Sequence, residues 1–133
     1  MATLNEIETA FGQRLATPAI APVVWPNKAA APAKPYITVA HYPVSRDSAA
    51  ISGTGAVVTR GYFMLTVVAE SNGFSTGANA KVDEIAARFP MGHKLTVGGQ
   101  VMRISRQPQP AQSFPDGSDW RAPVRIDYVI TGK

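Results

Sequence analysis

The chain has 133 residues, the size of one domain with one core, and 45% hydrophobic against 17% charged residues argues against wholesale disorder. Its net charge is +4, from 13 Lys and Arg against 9 Asp and Glu, which is compatible with weak attraction to polyanions, but no run of consecutive basic residues makes a nucleic-acid arm. There is no cysteine, so disulfides, thiolate nucleophiles and cysteine-ligated metals are excluded.

Met1-Ala2-Thr3-Leu4-Asn5-Glu6 lacks the basic and apolar regions of a signal peptide, and no window approaches the ~18 apolar residues of a membrane span. Synthesis in the cytoplasm, with no membrane contact, is the expectation. The charged fraction is below the ~25% of ordinary soluble domains. Long polar loops or surface buried in an assembly would each account for that.

Thr3 to Leu15 reads as an amphipathic helix. Thr3 and Glu6 have capping-box spacing, and Leu4, Ile7, Phe11 and Leu15 fall on one stripe, with Gly12 a weak point. Thr17 to Pro35 carries five prolines and reads as an extended connector, with room for a short strand at Val23-Val24-Trp25. Tyr36 to Val44 is strand-like. Ser45 to Thr59, with Ser52-Gly53-Thr54-Gly55, reads as a long loop.

Arg60 to Ser71 is the longest strand signal. Apolar groups on both of its faces predict a central strand covered on both sides. Gly77 to Phe89 reads as a second helix, N-capped by Ser75 or Thr76 and stopped by Pro90. Its apolar stripe is Ala78, Val82, Ile85, Ala86 and Phe89. Lys94–Val97 and Val101–Arg106 read as a hairpin about Gly98-Gly99, and Gln107 to Asp119 as a second irregular loop. Trp120 to Thr131 alternates cleanly, with Trp120, Ala122, Val124, Ile126, Tyr128 and Ile130 on one face. This order predicts an α+β single domain, with a mixed or antiparallel central sheet of about five strands and two helices packed on it.

Reactive groups do not converge in the sequence. His41 and His93 lack metal-ligand spacing and read as surface or strand-end residues. Asp83 and Glu84 are adjacent on a helix, pointing about 100° apart, and read as a solvated face rather than a catalytic pair. Gly53-Thr54-Gly55 lacks the Lys-Ser/Thr of a phosphate loop. The expectation is no enzyme, no cofactor and no metal. Arg103, Arg121 and Arg125 form a basic patch if the strands carrying them pair. Ordinary solvent-facing arginines paired with Asp127 and helix acids are the simpler account; an inter-subunit contact or a channel lining facing DNA is the functional one.

Two ordered series carry a resemblance. One is Val24-Trp25-Pro26-Asn27 followed by Lys34-Pro35-Tyr36-Ile37-Thr38-Val39. The other is Arg60-Gly61-Tyr62 through Gly73, then Gly77 to Ala86, then Arg88-Phe89-Pro90-Met91-Gly92. With the final strand from Trp120, the chain resembles the tail terminator proteins of long-tailed bacteriophages over roughly residues 3 to 131. The resemblance implies a structural virion protein at the head-proximal end of the tail. It would form a homo-oligomeric, hexameric ring that caps the tail tube and stops its polymerisation. Its partners would be the major tail tube protein, a head-completion or connector protein, and DNA passing non-specifically through the lumen.

Another ring-forming connector, head-completion or tail-tube protein, or a small basic DNA-binding module, is the alternative. A closed ring needs two different complementary faces on each subunit. The two long loops are the expected interface material, with Arg46, Ile51 and Val57 in the first and Gln109 and Phe114 in the second.

Overall fold

A computed structural model describes residues 3–17, 20–26, 33–48, 56–70 and 76–132. The described elements are α1 (Leu4–Ala16), β1 (Val23–Val24), β2 (Tyr36–Ser48), β3 (Val57–Glu70), α2 (Thr76–Arg88), β4 (Lys94–Val97), β5 (Gln100–Ile104), β6 (Gln109–Pro110), β7 (Phe114–Asp116) and β8 (Asp119–Gly132). All eight strands join one sheet, in the order β1-β2-β3-β8-β5-β4, with β6 and β7 paired to β8. The pairing is antiparallel except for β1 with β2. The fold is therefore α+β in a single domain, with eight strands where five were expected.

α1 starts where its cap chemistry places it. The Glu6 amide donates to Thr3 Oγ1 (3.2 Å) and the Thr3 amide to Glu6 Oε1 (3.0 Å), closing the reciprocal box. Both backbone and hydroxyl hydrogen bonds from Thr3 hold the Glu6 carboxyl below its usual range. Ile7, Phe11 and Leu15 are buried. Gly12 leaves space for Trp25, whose ring would lie 3.0 Å from an added Cβ. The N-cap expected at Ser75 or Thr76 of α2 lies outside the described side chains.

Both helices lie on one face of the sheet. Phe11 stacks on Phe63 of β3 (centroids 3.8 Å, 4° between planes) and on Phe89 (4.5 Å, 12°), and His41 stacks on the far side of Phe63 (4.4 Å, 9°). These four rings form a continuous column through the core. Ala122, Val124, Ile126, Tyr128 and Ile130 of β8 are all buried in it, as their alternation predicts.

Four sequence expectations change. β2 and β3 extend into the segment read as a loop over 45–59, since Ser45, Arg46, Asp47 and Ser48 pair with Arg60, Thr59, Val58 and Val57. The pattern hid this because Pro43 and the register shift beside it interrupt the alternation. The segment 107–119 contains β6 and β7, which lack any alternation of their own and are held by the edge of β8. β3 is covered by helices on one face only; on the other, Tyr62, Met64 and Thr66 are half-buried and Val68 alone is buried. His41 is an interior residue, its side chain 5% exposed.

Candidate functional site

The cluster of titratable side chains nearest to catalytic form is Glu8–His41–Tyr128. His41 Nδ1 lies 3.2 Å from Glu8 Oε2, and His41 Nε2 lies 2.6 Å from the Tyr128 hydroxyl. An imidazole carrying its proton on Nδ1 satisfies both contacts, donating to the carboxylate and accepting from the phenol. Acid, imidazole and hydroxyl stand in the order of a nucleophile relay. The hydroxyl, however, is enclosed. Tyr128 is 1% exposed, and its oxygen lies 2.5 Å from where a Cβ on Gly61 would stand. Burial pushes the phenol up to about 12, with Arg46 opposing that shift and Glu8 adding to it. The arrangement ties α1, β2 and β8 together and leaves no room for a substrate at the oxygen.

A groove of about 590 Å³ runs beside α1 and is lined by Asn5, Glu8, Thr9, Gly12, Trp25 and Pro26. Glu8 is its single titratable group, so it offers no acid–base pair. Among the described residues no three His, Cys, Asp or Glu side chains are grouped to hold a metal. His93 is drawn below its usual range by burial and by Arg14. No described helix is long and apolar enough to cross a membrane.

The sheet face turned away from the helices carries the charged groups. The three arginines expected as a patch separate into two settings. Arg121 Nε donates to Asp116 Oδ2 (2.8 Å), and its Nη2 lies 3.5 Å from Asp119 Oδ2. Arg125 donates to Asp127 Oδ1 (2.6 Å) and lies over the Tyr62 ring at 3.8 Å; Tyr62 in turn stacks on Tyr42 (4.9 Å). Both arginines are thus neutralised within the chain. Arg103 belongs to a different set.

β-register aligns one transverse row on this face: Arg60 of β3 is opposite Val129 of β8, Val129 is opposite Arg103 of β5, and Arg103 is opposite Lys94 of β4. Arg60, Arg103 and Lys94 are exposed, and no ion pair involves them among the described residues. Sequence reasoning missed Arg60 and Lys94, because their neighbours are set by pairing across four strands. The i, i+2 alternation about Arg60 was the available signal, since it puts that side chain with Tyr62 and Met64.

The expected contact residues are dispersed. Arg46 lies exposed on β2, and Val57 is half-buried opposite Ser48. Gln109 and Phe114 are exposed on β6 and β7, and Ile51 lies outside the described residues. The structure does not bring the first group together with the second. Gln109 pairs with Arg125 and Phe114 with Arg121 along β8.

No curated protein matches the chain. A solved chain 25% identical to this one superposes with a TM-score of 0.80 over 96% of this chain and 95% of its own length. A chain from the virion of a native gene transfer agent particle, 14% identical, superposes with a TM-score of 0.61 and covers 96% and 95%. The first neighbour shares sequence as well as shape; the second establishes the fold alone. The family described as phage tail terminator protein matches residues 6–128, which take in both helices, the ring column and nearly all of the sheet, and the chain belongs to that family.

Proposed function

We propose that this protein, a structural component of the phage virion tail, works as the tail terminator: a closed ring seated on the last ring of tube protein. It stops tube polymerisation and presents a surface to the head-completion protein, with DNA passing through its lumen. The observation that carries the reading is the family match over residues 6–128. The gene transfer agent particle neighbour supports a virion setting for the fold. A sheet with one face free of helices supplies the second surface that a head-to-tail ring needs. The work is done by shape, without turnover of a substrate, in keeping with an enclosed Tyr128 and a groove holding a single carboxylate.

The test is to add purified protein to polymerising tail tube protein and image the products. Tubes of arrested length with a ring at one end are the expected result. Growth of open tubes from this chain itself would instead identify it as a tube protein. Duplex DNA binding that falls steeply with salt, without any ring, would identify a nucleic-acid module.

A further inference from the structure

Few of the described acids are left without a partner within the chain. Among the described acids, Glu8, Glu70, Asp116, Asp119 and Asp127 sit in ion pairs, and Glu6 closes the helix cap. Asp83 and Glu84 have neither role and are exposed on α2. They point away from the buried stripe Ala78, Val82, Ile85 and Phe89, so α2 stands between them and the sheet. Asp47, beside Val58, is the remaining one, on the same sheet face as the cationic row.

That row has an unfavourable feature for an isolated chain. Lys94 and Arg103 are directly opposite on paired strands, where like charges repel. We infer that the row Arg60–Arg103–Lys94 is the docking surface for α2 of a second copy of this chain, with Asp83 and Glu84 as its counterparts. The inference rests on the ring reading above and names the contact that closes the ring.

Size and shape agree with charge. Three strand spacings of ~4.8 Å give the row a width of about 14 Å, and a helix with its side chains is about 10–12 Å across. Around Asp83 and Glu84, the exposed Ala80 and Ala87 complete a stripe at i, i+3, i+4 and i+7, so small side chains flank the acids and permit close approach. Val129, half-buried, and Val101, 44% exposed, supply an apolar floor beneath the cations. The two surfaces lie on opposite sides of the subunit and differ in kind, which makes the contact head-to-tail.

The experiment compares Arg60→Glu/Arg103→Glu with Asp83→Lys/Glu84→Lys by native mass spectrometry and negative-stain imaging. Thermal unfolding checks that each variant folds, and the milder pair Arg60→Gln/Arg103→Gln serves if charge reversal prevents folding. Each reversed variant alone should self-associate at least about tenfold more weakly, because like charges then face each other. An equimolar mixture of the two should recover rings of alternating composition, and so should one chain carrying all four substitutions.

Rings indifferent to either reversal would overturn the inference, as would failure of both mixture and combined chain to recover. A row variant that keeps its rings and loses only duplex DNA binding would assign the row to nucleic acid instead. A wild-type chain that forms no ring sinks both readings. Rings that follow the charge exchange but do not cap tubes sink only the terminator role.

Discussion

The Tyr128 phenol gives the molecule an alkaline weakness. Its folded pKa, about 12, exceeds the ordinary value of about 10, so the folded chain holds this proton after the unfolded chain has released it. The stabilisation is complete below about pH 10 and is lost as pH rises towards 12. A shift of that size amounts to a few kcal/mol at most. Denaturation measured in urea across this range should show the loss in the natural protein and not in Tyr128→Phe. The same substitution should cost about 1–2 kcal/mol near neutrality, because His41 Nε2 is left buried without its donor. An unchanged alkaline slope in the Phe variant would assign the loss to another group.

Gly61 is the backbone counterpart of that contact: an added Cβ would meet the Tyr128 hydroxyl at 2.5 Å and the Tyr42 carbonyl oxygen at 2.9 Å. Gly61→Ala should therefore destabilise by roughly 1–3 kcal/mol, the range for overpacking, read as a lower urea midpoint. Neither residue's role was legible locally. The alternation of β8 shows that Tyr128 faces inward, but His41 as its partner depends on β2 and β8 flanking the same residues of β3. A polar side chain within a strand carries no sign of that.

At the scale of elements, the helices brace each other at their C-termini. Arg14 Nε and Nη2 donate to the Arg88 carbonyl (3.2 and 3.1 Å), while Arg88 Nη1 donates to the carbonyls of Leu15 (2.8 Å) and Arg14 (3.4 Å). Each guanidinium satisfies carbonyls that a helix end leaves without partners and sits at the negative pole of the other helix. Arg88→Ala should lower stability by about 1–2 kcal/mol, with Arg88→Lys in between because it keeps the charge but loses the reach and plane of the guanidinium. Equal losses for Ala and Lys would show that guanidinium geometry, rather than charge, carries the effect. Arg14 and Arg88 look like solvated positions in sequence, and only their juxtaposition discloses the exchange.

The helices themselves were legible because the Thr3/Glu6 box, the stripes and Pro90 are local signals. β6 and β7 were not, since two- and three-residue strands among prolines exist only through β8. The same prolines limit what they add to the ladder. At the other edge of the sheet, Pro43 and the adjoining register shift interrupt β2 where β1 no longer covers it. That arrangement discourages strand-to-strand association along β2.

For the whole molecule, fold class followed from the order of helical and alternating segments, whereas the cationic row did not, because it is a property of register. That row sets the sign of a salt effect. Each subunit carries a net charge of +4, so two copies repel at long range and added salt should assist an assembly held by apolar contact. If α2 docks on the Arg60–Arg103–Lys94 row, local attraction opposes that repulsion, and salt screens the attraction as well. Between about 0.1 and 1 M salt the screening length falls from ~10 to ~3 Å. That range is short enough to weaken even pairs lying at the rim of an interface. Self-association followed by light scattering should therefore decline with salt in the natural protein. In Arg60→Gln/Arg103→Gln, where the local attraction is reduced and the long-range repulsion also falls, it should be nearly flat. A rise with salt in the natural protein would mean that apolar burial drives self-association, and would point to the face about Tyr42, Val44 and Met64 as the contact.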